Sequence, residues 1–354
     1  DMALFNSQGG DYYQSFEDAM AISNFVGINV DESFTVYIEN EDDYGLCVYT
    51  TTPSTSTWTL EIEEEFPGIW EGDVSNYWHT AGNWSLGILP DAAQDVVIPA
   101  GTDFSPFIMS GAFCDNITIE SGAKLYVQND YLVASGNMLV RGYLNIDVDE
   151  FVHLVGDITW ASTASEYLEN GSSIYVEGNW TFDYGSDIQI DDGHVRFIGD
   201  GHSLIYCRSE TSYFNHVHFD KEDGGWVQYE MTPGLQPLRI HGDFLGYAGN
   251  SFVCASMYNI YFEGTSFYVP AGFEFNGVEG AVIFSGTSMQ NLYFNNDSYF
   301  NILAIASSSE VSMQDAITVE NDLLIHSGSL NTNGNDIFIG GDWINYAGPG
   351  AFTE

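Results

Sequence analysis

Apolar and polar positions alternate in a seven-residue phrase that recurs along most of the chain. The phrase reads apolar, any, apolar, any, Gly, Asn or Asp, apolar. Clear copies begin at Leu132, Val152, Ile174, Leu238 and Ile337. Weaker copies begin at Val195, Ile260, Val282 and Ile317, and in the last of these Asn321 replaces the glycine. Most successive copies begin 20 to 22 residues apart, with two longer intervals of 43 and 35 residues. We interpret 43 as two units and 35 as an irregular one. A short fixed period of this kind is typical of stacked solenoids.

The phrase itself predicts a short strand followed by a corner. Because side chains alternate along a strand, Leu238 and Ile240 should point inward and Arg239 outward. Gly242-Asp243 should then bend the chain through a positive φ, which Gly and Asn or Asp tolerate best.

A period of about 21 residues fits three short strands and three corners. We therefore predict an all-β fold, a right-handed parallel β-helix or β-solenoid. The alternative is a sandwich of antiparallel hairpins, which the fixed spacing disfavours. The predicted corner residues are Gly136, Asn137, Gly156, Asp157, Gly178, Asn179, Gly242, Asp243, Asn321, Asp322, Gly341 and Asp342.

The phrase is missing from the first part of the chain. We expect residues 1–66 to form a small β-rich module or cap, and residues 67–354 to form the solenoid, with a lead-in segment at 70–99 and rungs over about 104–345. Within the module the pattern predicts a helix over 11–25 and strands over 33–52 and 56–66. Such a cap would cover strand edges at one end of the solenoid.

The charge is strongly one-sided, with 51 Asp and Glu against 6 Lys and Arg, a formal net charge of −45. A phosphate backbone or an anionic membrane surface would be repelled, so binding to either is excluded. No apolar run reaches the length of a membrane span. The chain starts at Asp1 rather than Met, and we expect a mature, secreted protein.

Four separated cysteines give no zinc pattern. We expect buried thiols, with disulfides as the alternative. These cysteines are Cys47, Cys114, Cys207 and Cys254.

The lead-in segment carries a resemblance to a known family. The pattern comprises Trp70-x-Gly72, Trp78, Ala81-x-Asn83-Trp84-Ser85, Gly87-x-x-Pro90 and Asp95-Val96-x-Ile98-Pro99, followed by Pro106 and by Ile117 to Val127. A larger unit recurs, in which Val195–Phe197, Ser212–Asn215 and Leu238–Phe244 match Val282–Phe284, Ser298–Asn301 and Ile317–Leu323. Over about residues 70–345 the chain resembles the β-helix surface proteins of Bacteroidetes-like bacteria, adhesin-like chains that are often secreted by the type IX route. The resemblance implies a bacterial cell surface location and leaves the biochemical role open.

Catalysis is the weaker interpretation of the polar residues. Acidic pairs at corners are expected in so acidic a chain, and few basic residues are present to hold a sugar acid. The best carboxylate pair for an inverting glycosidase is Asp191-Asp192 with Asp200 and His202. We predict that the protein is not an enzyme. His216 and His218 share one strand face, but no third ligand is near them in sequence, so we interpret them as surface or stacked histidines.

Calcium is the cofactor that the acidic residues favour, because hard oxygen ligands suit this ion. Alternation should place each of two groups on one strand face, and a third group precedes Gly45. A solvated acidic face is the alternative interpretation. The candidate ligands are Asn145, Asp147, Asp149, Asp187, Asp191, Glu39, Glu41 and Asp43.

The leading functional hypothesis is a secreted structural or adhesive surface protein that assembles end to end with other copies of itself. The first alternative is a monomeric adhesin rod that binds cell-surface glycans. The second is a polysaccharide-degrading enzyme.

Overall fold

The computed structural model describes residues 2–6, 21–23, 44–48, 66–222, 224–230 and 234–354. The chain divides into two compact units, Asp1–Glu64 and Glu65–Glu354. None of the described helices is long and apolar enough to cross a membrane.

The first unit contains a three-stranded antiparallel sheet. Strand β1 (Met2–Asn6) lies between β2 (Ala21–Ser23) and β3 (Tyr44–Val48). The predicted strand over 33–52 is confirmed at β3. The predicted helix over 11–25 is wrong at β2, because that backbone pairs with β1 instead of closing helical turns. The rest of that helix lies outside the described residues, and so does the strand predicted over 56–66, apart from Phe66.

The second unit is a β-solenoid of about 12 stacked parallel coils, which confirms the predicted fold class. Each coil passes through three sides in the order side 1, side 2, side 3. Paired residues in neighbouring coils lie 19 to 30 residues apart, as in Phe300 with Val319 and Tyr77 with Phe107. The predicted period of about 21 residues is therefore an average.

Side 1 contains β4 (Gly68–Ile69), β5 (Val96–Ile98), β8 (Ile117–Ile119), β11 (Met138–Val140), β14 (Ile158–Trp160), β17 (Trp180–Phe182), β19 (Ser203–Cys207), β21 (Trp226–Tyr229), β24 (Ser251–Cys254), β27 (Glu274–Gly277), β31 (Ile317–Val319) and β33 (Ile337–Ile339). Single bridges through Tyr299 and Phe300 connect β27 to β31.

Side 2 contains β6 (Phe107–Ile108), β9 (Lys124–Val127), β12 (Tyr143–Ile146), β15 (Ser165–Leu168), β22 (Leu238–Ile240), β25 (Ile260–Phe262), β28 (Ala281–Phe284), the first parts of β30 (Ile302–Met313) and β32 (Leu323–Asn331), and β34 (Trp343–Asn345). Between β15 and β22 this side is irregular, with isolated bridges from Gln189 to Tyr213 and from Phe214 to Ile240.

Side 3 contains β7 (Ala112–Cys114), β10 (Leu132–Ala134), β13 (Phe151–Leu154), β16 (Ser173–Val176), β18 (His194–Phe197), β20 (His216–Phe219), β23 (Phe244–Gly246), β26 (Ser266–Tyr268), β29 (Gln290–Tyr293), the last parts of β30 and β32, and β35 (Phe352–Thr353). Two short 3-10 turns, Ala81–Asn83 and Pro349–Ala351, are the helical segments among the described residues of this unit.

The recurring phrase does not stay at one corner of the coil. Copies from Leu132 to Val195 join side 3 to side 1, those from Leu238 to Val282 join side 2 to side 3, and the last two join side 1 to side 2. The interval of 43 residues is therefore one coil plus two sides, and our interpretation of it as two units is wrong. The interval of 35 residues, from Val282 on side 2 to Ile317 on side 1, is likewise one coil plus two sides.

The larger repeated unit moves by one side in the same way. Ser212 lies on side 2, where its Oγ accepts a hydrogen bond from the Ile188 N–H at 2.9 Å. Ser298 lies on side 1, where its Oγ accepts from the Phe275 N–H at 2.8 Å. The unit therefore keeps its local hydrogen bonds while it changes its place in the coil.

Corner glycines are needed for a reason other than the predicted positive φ. Among the predicted corner glycines, including Gly156 and Gly178, none has a positive φ. A Cβ on Gly156 would lie 2.5 Å from Asn137 Oδ1, and one on Gly178 would lie 2.5 Å from Asp157 Oδ1. The glycine therefore leaves room for the side-chain oxygen of the preceding coil.

Those side-chain oxygens form a ladder along the corner between sides 3 and 1. Asn116 Oδ1 accepts from the Asn137 N–H at 2.8 Å, and Asn137 Oδ1 accepts from the Asp157 N–H at 2.7 Å. Asp157 Oδ1 then accepts from the Asn179 N–H at 2.7 Å, and Asn179 Oδ1 from the Leu204 N–H at 2.8 Å. Each polar corner residue thereby satisfies a backbone donor one coil later.

The core changes in character along the solenoid. Inward residues of the first coils are mainly aliphatic, such as Ile119, Leu132 and Val140, whereas later coils stack phenylalanines. Phe244 and Phe267 are parallel with ring centroids 4.4 Å apart. Cys114, Cys207 and Cys254 are buried free thiols, as predicted, and burial raises the pKa of each. The Cys47 side chain lies outside the described part of the molecule.

The lead-in segment covers the first coil with three buried tryptophans. The Trp84 ring meets those of Trp70 and Trp78 edge to face, at 5.1 and 4.6 Å. Buried Asn83 accepts from the N–H groups of Val74 and Ser75, both at 3.0 Å. These contacts explain why the segment is rich in Trp and Asn without any catalytic pattern.

Candidate functional site

The first predicted calcium group does not lie on one strand face. Strand β12 ends at Ile146, so Asp147 and Asp149 belong to the following turn, where Asp149 has a φ of 63°. Asn145 is buried, and its Nδ2 donates to Tyr167 O at 3.3 Å. The alternation that we expected ends because the chain turns a corner there.

The second calcium group has the expected alternation. Ile188 and Ile190 are buried, whereas Asp187, Gln189 and Asp191 are exposed. Gln189 Nε2 donates to Asp187 Oδ1 at 2.9 Å, and the Tyr213 hydroxyl donates to Asp191.

Within the described ranges, no three His, Cys, Asp or Glu side chains are grouped so that they could hold a metal ion. Glu39, Glu41 and Asp43 lie outside those ranges, so the third calcium group has no structural account. Calcium binding at all three groups stays a prediction.

A half-buried carboxyl that the sequence did not reveal lies beside the second group. Glu166 Oε1 accepts from the Gln189 N–H at 2.7 Å. Burial raises the pKa of Glu166 to about 7, and the nearby Asp191 and Asp187 add to the rise. At neutral pH this carboxyl is therefore partly protonated, unlike an ordinary surface glutamate.

Glu166 and Gln189 begin a row of polar side chains along side 2, which the Tyr213 and His241 rings continue. The His241 ring stacks on Tyr213 with centroids 3.7 Å apart, and His241 Nε2 lies 3.6 Å from Glu263 Oε2. The contacts of this row are with other groups of the chain itself.

The carboxylate pair considered for a glycosidase is not brought together. Asp191 and Asp192 precede β18, whereas Asp200 and His202 follow it, so the whole strand separates the two groups. Strand β18 has four residues and alone spans about 13 Å at ~3.3 Å per residue, which exceeds the ~6.5–9.5 Å between inverting carboxylates. The His202 ring instead stacks on Trp226 at 4.4 Å.

Side 3 carries a polar patch of another kind, which we call the Arg196 patch, formed by Tyr175, His194, Arg196 and His218. Strand register places Arg196 between Tyr175 and His218, one coil away on either side. The Arg196 guanidinium lies over the Tyr175 ring, 5.8 Å from its centroid. His194 Nδ1 and His218 Nε2 are hydrogen-bonded at 3.0 Å, and His218 Nδ1 contacts the Tyr247 hydroxyl at 3.1 Å.

His218 is nearly inaccessible, so its imidazole stays neutral. Burial, together with the nearby Arg196 and His194, lowers the pKa of His218 to about 3. His216 stacks on His194 at 4.8 Å. The interpretation of His216 and His218 as stacked histidines fits these contacts. His194 is the neighbour that sequence reasoning missed, and a register of 22 residues with His216 could have revealed it.

Arg196 is the uncompensated charge of its patch. Its Nε is buried without a hydrogen-bond partner. The carboxylates near the patch have imidazole neighbours, since Glu177 Oε1 is 2.8 Å from His153 Nε2 and Asp243 Oδ2 is 3.5 Å from His216 Nδ1. Among the described residues, one ion pair joins a Lys or Arg to a carboxylate. It is formed by Arg208 Nη1 and Asp183 Oδ1, which lie 3.5 Å apart.

On side 3, a row of aromatic side chains extends from the Arg196 patch toward the earlier coils. The Phe151 ring meets Tyr175 edge to face at 5.4 Å and stacks on Tyr131 at 5.2 Å. Phe113 extends this row and is 42% exposed. Edge-to-face contacts leave ring faces available, whereas stacked rings cover one another.

Comparison with known proteins gives a partial family match. Residues 69–164 match the family described as Domain of unknown function (DUF8693). The match spans the tryptophan-rich lead-in segment and the first coils. No curated protein and no solved structure matches the chain.

Proposed function

We propose that the protein is a secreted structural or adhesive surface protein whose solenoid serves as a stiff strut and pairs end to end with another copy. Three features support the strut: parallel backbone pairing through about 12 coils, a filled core, and a corner ladder from Asn116 to Leu204. At ~4.8 Å per coil, this stack spans about 50 Å. The resemblance of residues 70–345 to adhesin-like surface proteins supports the location.

The coil of β33, β34 and β35 is the observation that carries end-to-end pairing. Ile317 and Val319 of β31 are fully buried, whereas their partners Ile337 and Ile339 of β33 are only half-buried. On the same coil Trp343 is 43% exposed, although its partner Leu323 on the preceding coil is fully buried. Exposed apolar side chains beside unpaired strand edges are a template for further strands. Strands from a second copy would bury them, and divalent cations would reduce the repulsion between acidic sides.

Sedimentation velocity at moderate salt, with calcium and then with chelator, tests this proposal. Trp343→Glu should abolish concentration-dependent association of the full chain, because Trp343 follows the inward position of Leu323 and the substitution places a charge in the contact. Tyr167→Glu is the matched control, since Tyr167 is 52% exposed on a side of the solenoid. A wild-type chain that stays monomeric at every concentration and in both conditions would overturn end-to-end pairing.

The partly exposed aromatic row on side 3 favours a second candidate function, a glycan-binding rod that acts as a monomer. Aromatic faces stack on sugar rings without requiring a deep pocket. This candidate does not depend on the coil of β33–β35, so the two functions can be tested separately.

A further inference from the structure

A mainly aromatic column runs along the outer face of side 2 in the first coils, and we call it the side 2 column. Strand register aligns five outward residues of successive coils, Tyr77, Phe107, Tyr126, Asn145 and Tyr167. The Phe107 and Tyr126 rings stack with their centroids 4.4 Å apart. Tyr77 and Tyr167 are 51% and 52% exposed, so packing within the sheet does not account for them. Aromatic side chains that line one surface and stay partly in water are typical of ligand-binding surfaces.

Hydrogen-bonding groups lie beside the side 2 column. Tyr143 belongs to the neighbouring outward column, where its register partners are Lys124 and Ser165. Both partners are exposed. The Tyr143 ring meets Tyr126 edge to face at 5.9 Å, an arrangement that leaves a ring face available. The surface therefore combines aromatic faces with a phenol, a hydroxyl and an ammonium group, which fits a sugar ring with its apolar faces and rim of hydroxyls.

The charge around this surface selects a neutral ligand. The chain has a formal net charge of −45, and Glu166 and Asp147 lie in or directly after strands β15 and β12 of this surface. Lys124 does not reverse that charge, so an acidic saccharide is repelled. A cationic chain would bind acidic corners anywhere on the molecule without selecting the column. A neutral saccharide is neither repelled nor held elsewhere.

The size of the surface favours a short saccharide over a second copy of the chain. At ~4.8 Å per coil and ~3.3 Å per residue, five coils with two outward columns measure about 20 Å by 10 Å. This area of about 200 Å² is well below the ~800 Å² per partner of a standard protein interface. Because equivalent residues of successive coils stack in register, the side chains form a single file that suits an extended chain.

We propose that the side 2 column binds a neutral, extended saccharide. The Tyr77, Tyr143 and Tyr167 rings contact the sugar rings, and Lys124 and Ser165 form hydrogen bonds with sugar hydroxyls. The proposal rests on the second candidate function for its class of ligand and assigns that ligand to side 2, away from the aromatic row on side 3. The site goes beyond the strut.

Isothermal titration calorimetry of the full chain, at 0.15 M NaCl with chelator present, tests the site. The neutral probes are cellohexaose, mannohexaose and chitohexaose, extended β-1,4-linked chains that differ in their sugar. The acidic probe is hexagalacturonate, and chelator prevents cation bridges between it and the protein. We expect saturable binding of at least one neutral probe and at least about tenfold weaker binding of the acidic one.

Tyr167→Ala should weaken binding of that neutral probe about tenfold, because it removes a ring that contacts the sugar. Tyr167→Phe keeps the ring and should stay within about threefold of the wild-type affinity. Tyr268→Ala is the matched control, since Tyr268 is a strand tyrosine on side 3 and is 40% exposed. It should keep the wild-type affinity. Both tyrosines are partly in water, so these substitutions should leave the fold intact.

Binding of none of the neutral probes would overturn the site, as would equal binding of the acidic probe or equal losses in Tyr167→Ala and Tyr268→Ala. A loss in Phe113→Ala without one in Tyr167→Ala would overturn it too, because the saccharide would then lie on side 3. Loss of self-association in Tyr167→Glu would show that a second copy covers the column, which also contradicts the proposal. Failure of the strut proposal is distinguishable, because Trp343→Glu leaves the side 2 column unchanged.

Discussion

The coils from β7 to β19 and those from β20 to β30 solve the same stacking problem in different ways. The first region aligns its corners with a ladder of Asn and Asp oxygens that ends at Leu204. The second region keeps a bond of this kind from the Ser266 N–H to Asp243 Oδ1, at a corner that has moved to another side, and fills its core with stacked phenylalanines. Because each coil contacts only its neighbours, either device can be used locally without disturbing the whole.

This difference predicts which substitutions should reduce the stability of each region most. Core phenylalanines contribute through buried apolar area, which is large for each residue. Ladder oxygens each satisfy one backbone donor, and the net contribution of such a bond is about 1 kcal/mol. The second region should therefore be the more sensitive to loss of a single core side chain.

Phe244→Ala should have the largest effect, about 3–5 kcal/mol of unfolding free energy, because it removes a ring packed among several others. The neighbouring rings belong to Phe219, Phe252, Phe267, Phe273 and Phe275. Leu245→Ala is the control, since Leu245 points outward on the same strand. Urea unfolding measures both, and equal losses would contradict the core assignment.

Glu166→Gln should stabilise the first region as pH rises. The folded pKa of Glu166, about 7, lies above its ordinary value of 4.5, so the folded state holds a proton that the unfolded state releases. Wild-type stability from this group is complete below pH 4.5 and is lost through pH 7. The variant should gain roughly 1–3 kcal/mol over wild type at pH 8 and nothing at pH 4.5. A difference that does not change with pH would contradict the raised pKa.

Gly156→Ala should cost about 1–3 kcal/mol, because its Cβ would press on Asn137 Oδ1 and the Gly136 backbone. Gly201→Ala is the matched control, since a Cβ there meets nothing within 4 Å and its φ is not positive. Thermal unfolding compares the two variants. A harmless Gly156→Ala would refute the view that the glycine exists to admit the ladder.

Asn137→Ala should have the smallest effect, about 0.5–1.5 kcal/mol, because it leaves the Asp157 N–H without its acceptor at a partly exposed corner. Asn296→Ala, at an exposed turn of the second region, should change stability much less. Hydrogen exchange should show faster exchange of the Asp157 amide in Asn137→Ala alone. Unchanged exchange there would contradict the ladder.

The period and the inward residues were predictable because a strand has a strict alternation and the corner phrase is nearly invariant. The movement of that phrase between corners was not predictable, since a spacing of 43 residues reads equally as two coils or as one coil plus two sides. Strand register resolves it, and register depends on contacts between distant residues.

The candidate sites were less predictable for a similar reason. In an alternating pattern, Asn145 and Asp147 are expected on the same strand face. In the structure, Asn145 is buried within β12, whereas Asp147 lies beyond the end of that strand. The raised pKa of Glu166 and the isolation of Arg196 come from neighbours one or two coils away. Those neighbours can be named only after the coil lengths are known.

Electron microscopy of the full chain at moderate salt, with calcium and then with chelator, tests the central claim most directly. The account predicts particles joined end to end through the coil of β33–β35 in wild type and single particles in Trp343→Glu. Isolated wild-type particles in both conditions would contradict it.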